Sequence, residues 1–100
     1  MNESEVALQI EGFIREAFQV APDDPGFGRR IDLFESGYVD SVGVIETTAF
    51  IAERFGVEVP DSALLSDDFA NIDGMARAVA ELLAERATGM HAAPAVGNMS

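Results

Sequence analysis

Asp32-Leu33-Phe34-Glu35-Ser36-Gly37-Tyr38-Val39-Asp40-Ser41-Val42-Gly43, residues 32–43, with the run that follows to Gly56, is the stretch on which the fold turns. Asp40 is a good N-cap, and behind it Val42, Ile45, Thr48, Ala49, Ala52 and Phe55 recur at helical spacing, predicting a helix with these residues inward. Gly56 after Phe55 supplies the C-terminal glycine that ends it. Ser41 then falls in the first turn, beside backbone N–H groups that lack intrahelical acceptors. That end of a helix carries roughly half a positive charge and suits a phosphate group. Taken alone, the same residues also describe ordinary helix capping.

Working outward, Val6, Ile10, Phe13, Ile14, Ala17 and Phe18 lie on one face of a first helix running from an N-cap at Ser4 to about Val20. Ala21-Pro22-Asp23-Asp24-Pro25-Gly26 breaks it and opens a long connection, with Ile31, Leu33 and Phe34 expected to pin the loop. On the other side, Val57-Glu58-Val59-Pro60 reads as an extended connector. Ala63 to Phe69 has room for a short helical turn or two, anchored by Leu64, Leu65 and Phe69. Asn71 caps a last helix whose inner face holds Ile72, Met75, Ala76, Val79, Leu82 and Leu83 and which ends at Thr88-Gly89. The fold class is therefore all-α: a four-helix bundle of three long helices and one short, with a long loop between the first two. Phe13, Phe18, Phe34, Phe50, Phe55 and Phe69 are expected in its core. Residues 1–88 form one domain, and 89–100 read as a disordered tail.

Composition excludes several functions. The 100 residues hold 18 acidic side chains against 6 arginines and no lysine, a formal charge of −12, which repels nucleic-acid backbones. Such acidity favours partners with basic docking patches. Cysteine is absent, which removes disulfides and thiolate chemistry. The acidic start Met1-Asn2-Glu3-Ser4-Glu5 leads into no long apolar run, so neither a signal peptide nor a membrane span is expected, and a cytoplasmic location is. The single histidine, His91, lies in the tail, and Val39 stands where a Gly-x-Ser-x-Gly elbow around Ser41 requires glycine, so no nucleophile has a base. Asn71, Asp73 and Gly74 suggest a calcium loop, but Phe69 and Ala80 occupy its first and twelfth positions, and no metal site is expected.

The segment 32–43 resembles the acyl and peptidyl carrier protein family, in which Leu-Phe, then Gly, two residues and Asp-Ser lead into the second helix of a four-helix bundle. Phe55-Gly56-Val57, Pro60 and Phe69 follow at the family's spacing, and the resemblance covers about residues 4 to 87. It implies that Ser41 receives 4'-phosphopantetheine from coenzyme A through a phosphopantetheinyl transferase. Asp40 would cap the helix and help present the serine. The arm's thiol would hold cargo as a thioester, and the protein itself would catalyse nothing.

With Val42, Ile45, Ala49 and Ala52 taken as the inner face, the partner surface is expected at Val42, Val44, Glu46 and Thr47, Val42 serving both sides. Gly43 stands where fatty-acid carriers typically have an acidic residue. With Phe55-Gly56-Val57, this makes the chain look closer to D-alanyl carrier proteins and free-standing aminoacyl carriers. The expected function is thus a stand-alone, monomeric carrier of an activated amino acid or small acyl group, loaded by an adenylating ligase and unloaded by a second enzyme. A fatty-acyl or polyketide carrier is the alternative, for which Ala49 and Ala52 would leave room between helices. A cofactor-free acidic interaction module is the second alternative.

Overall fold

A computed structural model describes residues 2–89; the expected tail from Met90 to Ser100, with His91, lies outside them. Helix α1 spans Glu3–Ala17, α2 Ser41–Phe55, α3 Asp61–Leu64 and α4 Ile72–Gly89, with a 3₁₀ turn at Asp67–Ala70. The described residues are all-helical, with no strand.

The helix ends follow from local chemistry. Asn2, rather than Ser4, caps α1 in a reciprocal capping box: its side chain accepts from Glu5 N–H at 2.9 Å while Glu5 accepts from Asn2 N–H at 3.0 Å. This helix stops at Ala17, short of Val20, because Gln19 turns left-handed (φ 54°) and Val20 N–H reaches back to the Arg15 carbonyl at 3.0 Å. Asp40 caps α2 through Gly43 N–H at 2.8 Å, and Gly56 (φ 68°) ends it. Asn71 caps α4 through Gly74 N–H at 2.7 Å.

Helices α1 and α2 run antiparallel: Phe18 abuts Gly43, Phe13 stacks on Phe50 with centroids 4.3 Å apart, and Arg54 donates to Gln9. Helix α4 packs along α1, and between them and α2 lie Ile10, Ile14, Ile51, Met75 and Val79, all fully buried. Val57 and Val59 of the connector alternate inward with Glu58 and Pro60 outward, as an extended chain requires.

Three expected anchors take other positions. Phe34 is exposed because it shares one tight turn with Leu33, and Leu33 takes the inward place, with its N–H bonded to the Ala70 carbonyl at 2.8 Å. Leu65, just past the four-residue α3, is 88% exposed, while its neighbour Leu64 packs against the core. Ala17 is exposed at the end of α1.

The inner face of α2 differs most from expectation. Gly43, Thr47, Ile51 and Phe55 are buried, whereas Val42, Ile45, Ala49 and Ala52 face outward. At about 100° per residue, Glu46 and Glu53 fall on the flank of the Val42–Ala52 strip and roughly opposite Val44, Ile51 and Phe55. Desolvating two carboxylates costs more than exposing a valine, an isoleucine and two alanines, so the charges select the face.

Candidate functional site

The site is the junction between the long loop and α2. Asp32 opens a turn by accepting from the N–H groups of Phe34 and Glu35 at 2.9 Å each, and Gly37 (φ 81°) closes it. The N–H groups of Tyr38 and Val39 then bond to the Leu33 carbonyl at 3.0 and 3.1 Å. Val39 is buried, and its side chain, with Phe18, lies against Gly43, where an added Cβ would stand 2.8 Å from Val39 Cγ1 and 3.0 Å from the Phe18 ring. Side-chain-free packing at Gly43 thus seats the first turn of α2 on the core.

Asp40 and Ser41 emerge from this seat exposed. Asp40 uses its carboxylate on Gly43 N–H and its carbonyl on Val44 N–H at 3.0 Å. The N–H groups of Ser41 and Val42, first in the helix, have no intrahelical acceptor. A hydroxyl that is exposed, attached to a rigid first turn and surrounded by such donors can accept a bulky phosphodiester without displacing any buried atom. The residues present therefore fit the group that the sequence suggests, and the arm has open solvent to extend into.

Of the expected partner residues, Val42 (63% exposed), next to Ser41, and Glu46, about one turn further along, are on the surface of α2. Val44 is half-buried against the core, and Thr47 is 1% exposed, its hydroxyl donating to the Gly43 carbonyl at 2.8 Å. Thr47 cannot present its side chain to a partner, because it lies on the face that packs inward, and Val44 turns part of its side chain to that same face. Ile45 (69% exposed), Ala49 and Ala52 stand instead in the outward strip that runs from Val42 along α2. Periodicity does not separate the two faces, because α2 is apolar on both sides; the placement of Glu46 and Glu53 is the signal that does.

Gly43 is explained by packing. A side chain there would have to move Phe18 or Val39, so its lack of an acidic group does not report on a surface charge. Ala49 and Ala52, being outside, leave no room between helices. Among the described residues no group of three or more His, Asp or Glu side chains could hold a metal ion, and no helix is long and apolar enough to cross a membrane.

Comparison with curated proteins returns no match. The family model described as "Phosphopantetheine attachment site" matches residues 9–79, from the middle of α1 through the 3₁₀ turn and into α4. That span includes the whole loop, the Asp40–Ser41 junction and α2, which together form the helical frame described above. The chain therefore belongs to the phosphopantetheine-binding family, a carrier domain that is not itself an enzyme and whose members hold 4'-phosphopantetheine covalently.

Proposed function

We infer that this chain carries an activated amino acid or small acyl group on a 4'-phosphopantetheine arm attached to Ser41. The observation that carries the reading is the exposed Ser41 hydroxyl at the first position of α2, directly after the Asp40 cap. When bound, the arm supplies a thiol that holds cargo as a thioester. Asp40 and the unpaired N–H groups of the first turn keep the serine at the helix end, and the packed core keeps that end still.

Small cargo is supported by the interior. Ile10, Ile14, Ile51 and Val79 have no accessible surface, so no water-sized void adjoins them. A long acyl chain taken in among these residues would part them and lose their dispersion contacts, whereas an aminoacyl or short acyl group stays with the arm in solvent.

The partners of this cytoplasmic, monomeric carrier are a phosphopantetheinyl transferase, an adenylating ligase and an accepting enzyme. They meet Val42, Ile45, Glu46 and Ala49, with Leu65 as a further exposed apolar residue. The formal charge of −12 favours basic surfaces on all three.

Thermal melting of the protein loaded with acyl groups of increasing length tests the cargo. A melting temperature independent of chain length supports exposed small cargo. A rise with each added methylene, as burial stabilises by about 0.8 kcal/mol per CH₂, would favour the fatty-acyl alternative.

A further inference from the structure

The long loop before Ser41 is held by a connected set of side chains. Tyr38, three residues before the serine, donates its hydroxyl to Asp24 Oδ2 at 2.9 Å, and Asp24 Oδ1 accepts from Gly26 N–H at 2.8 Å. The Tyr38 ring meets Phe27 edge to face with centroids 5.3 Å apart. The Arg15 guanidinium stands 4.5 Å over the Phe27 ring. Arg15 in turn shares the Glu11 carboxylate with Arg29, at 2.9 and 2.6 Å. The Arg29 carbonyl accepts from Asp73 N–H at 3.0 Å, so the same loop is tied to the start of α4.

These contacts converge on Tyr38, whose own N–H and that of Val39 share one acceptor, the Leu33 carbonyl. Beyond Val39 nothing but the Asp40 cap separates the clasp from Ser41. Chain direction into a helix is set by the residues just before the cap, so whatever fixes Tyr38 and Val39 also fixes how Asp40 meets Gly43 N–H. A loop of this length has high conformational freedom unless cross-linked. Of the side-chain hydrogen bonds that join two residues of the loop, Tyr38–Asp24 reaches nearest the serine.

We propose that Tyr38 and Asp24 form a clasp that positions the Asp40–Ser41 junction for recognition by the modifying transferase. The proposal rests on Ser41 being the attachment residue. Opening the clasp lowers the fraction of molecules whose junction is correctly arranged and raises the apparent dissociation constant by the reciprocal of that fraction, leaving the chemical step intact. Tyr38 and Asp24 act through the junction, as positioning residues.

The test measures modification by intact mass, with coenzyme A, magnesium and a broad-specificity phosphopantetheinyl transferase, as a function of carrier concentration. Wild type is compared with Tyr38→Phe, Asp24→Ala, the double variant and Ile10→Val, a core change of comparable destabilisation in α1, outside the loop. The proposal expects Tyr38→Phe to raise KM about 3- to 10-fold, the span of one net hydrogen bond, with kcat unchanged. The double variant should be no worse than Asp24→Ala, since both lose the same bond. Ile10→Val should leave KM unchanged. In the unmodified protein, exchange of the Gly43 amide should quicken by a similar factor in Tyr38→Phe relative to the Val79 amide in α4. An unchanged KM in Tyr38→Phe, or an equal rise in Ile10→Val, overturns the clasp while leaving the attachment reading in place. Wild type that takes no phosphopantetheine on Ser41 overturns the attachment reading, and the clasp's role falls with it.

Discussion

Gly43 and Gly74 both occupy the third position of a helix and both give their N–H to the capping side chain, from Asp40 and Asn71 respectively. A methyl group at each would meet different neighbours. At Gly74 an added Cβ would lie 2.0 Å from the Asp68 carbonyl oxygen, a backbone atom fixed by the preceding 3₁₀ turn. At Gly43 it would meet only side-chain atoms of Val39 and Phe18 at 2.8 to 3.0 Å, which can shift. Gly74→Ala is therefore expected to destabilise by about 3 kcal/mol or more, as backbone displacement requires. Gly43→Ala should cost about 1 kcal/mol, because alanine's helix propensity, roughly 1 kcal/mol better than glycine's, offsets part of the strain. Urea denaturation of both variants checks the order, and equal losses would contradict it.

Helix α2 is the element whose two faces do different work. Its inward residues Ile51 and Phe55 hold the bundle, while Val42 and Ile45 remain exposed beside Ser41. Ile51→Ala is expected to lower stability by about 2–5 kcal/mol. Ile45→Gln should leave stability within about 0.5 kcal/mol and slow loading by a ligase. Thr47→Val, at a buried position, should change stability by about 1 kcal/mol with no effect on loading. A loading defect in Thr47→Val equal to that of Ile45→Gln would overturn the assignment of faces. This is also where the sequence could be read least well. The helices, the Asp40 and Asn71 caps, the Gly56 stop and the position of Ser41 were legible because each depends on local chemistry. The inner face of α2 was not, because apolar residues line both sides and periodicity alone counts each equally. Phe34 and Leu65 failed similarly: adjacent apolar residues in a short turn cannot both point inward, and tertiary hydrogen bonding by Leu33 decides the first case. The Tyr38–Asp24 and Glu11–Arg29 pairs join residues 14 and 18 positions apart with no periodic signature, so only the folded chain brings them together.

At the scale of the whole molecule, the loop is bound to the bundle by charge as well as by packing. Glu11's carboxyl is held below its ordinary value of 4.5, first by the hydrogen bond from Arg29, with Arg15 adding to it against the opposing effect of burial. A carboxylate whose folded pKa is depressed contributes stability that is complete above its unfolded pKa and is lost as pH falls through the folded one. Glu11→Gln is accordingly expected to lower stability by about 1 kcal/mol at pH 7, and thermal melts should show that difference shrinking below about pH 4.5. A difference that stays constant down to pH 3 would contradict the pairing. The exposed strip of α2 and the pinned loop meet at Ser41, and the proposed function requires attachment there. Intact-protein mass after incubation with coenzyme A, magnesium and a broad-specificity phosphopantetheinyl transferase, for wild type and Ser41→Ala, tests it most directly. Attachment at Ser41 gives a gain of one phosphopantetheine in wild type and none in Ser41→Ala; a folded wild type that gains nothing, or a Ser41→Ala protein that gains as much, rules it out.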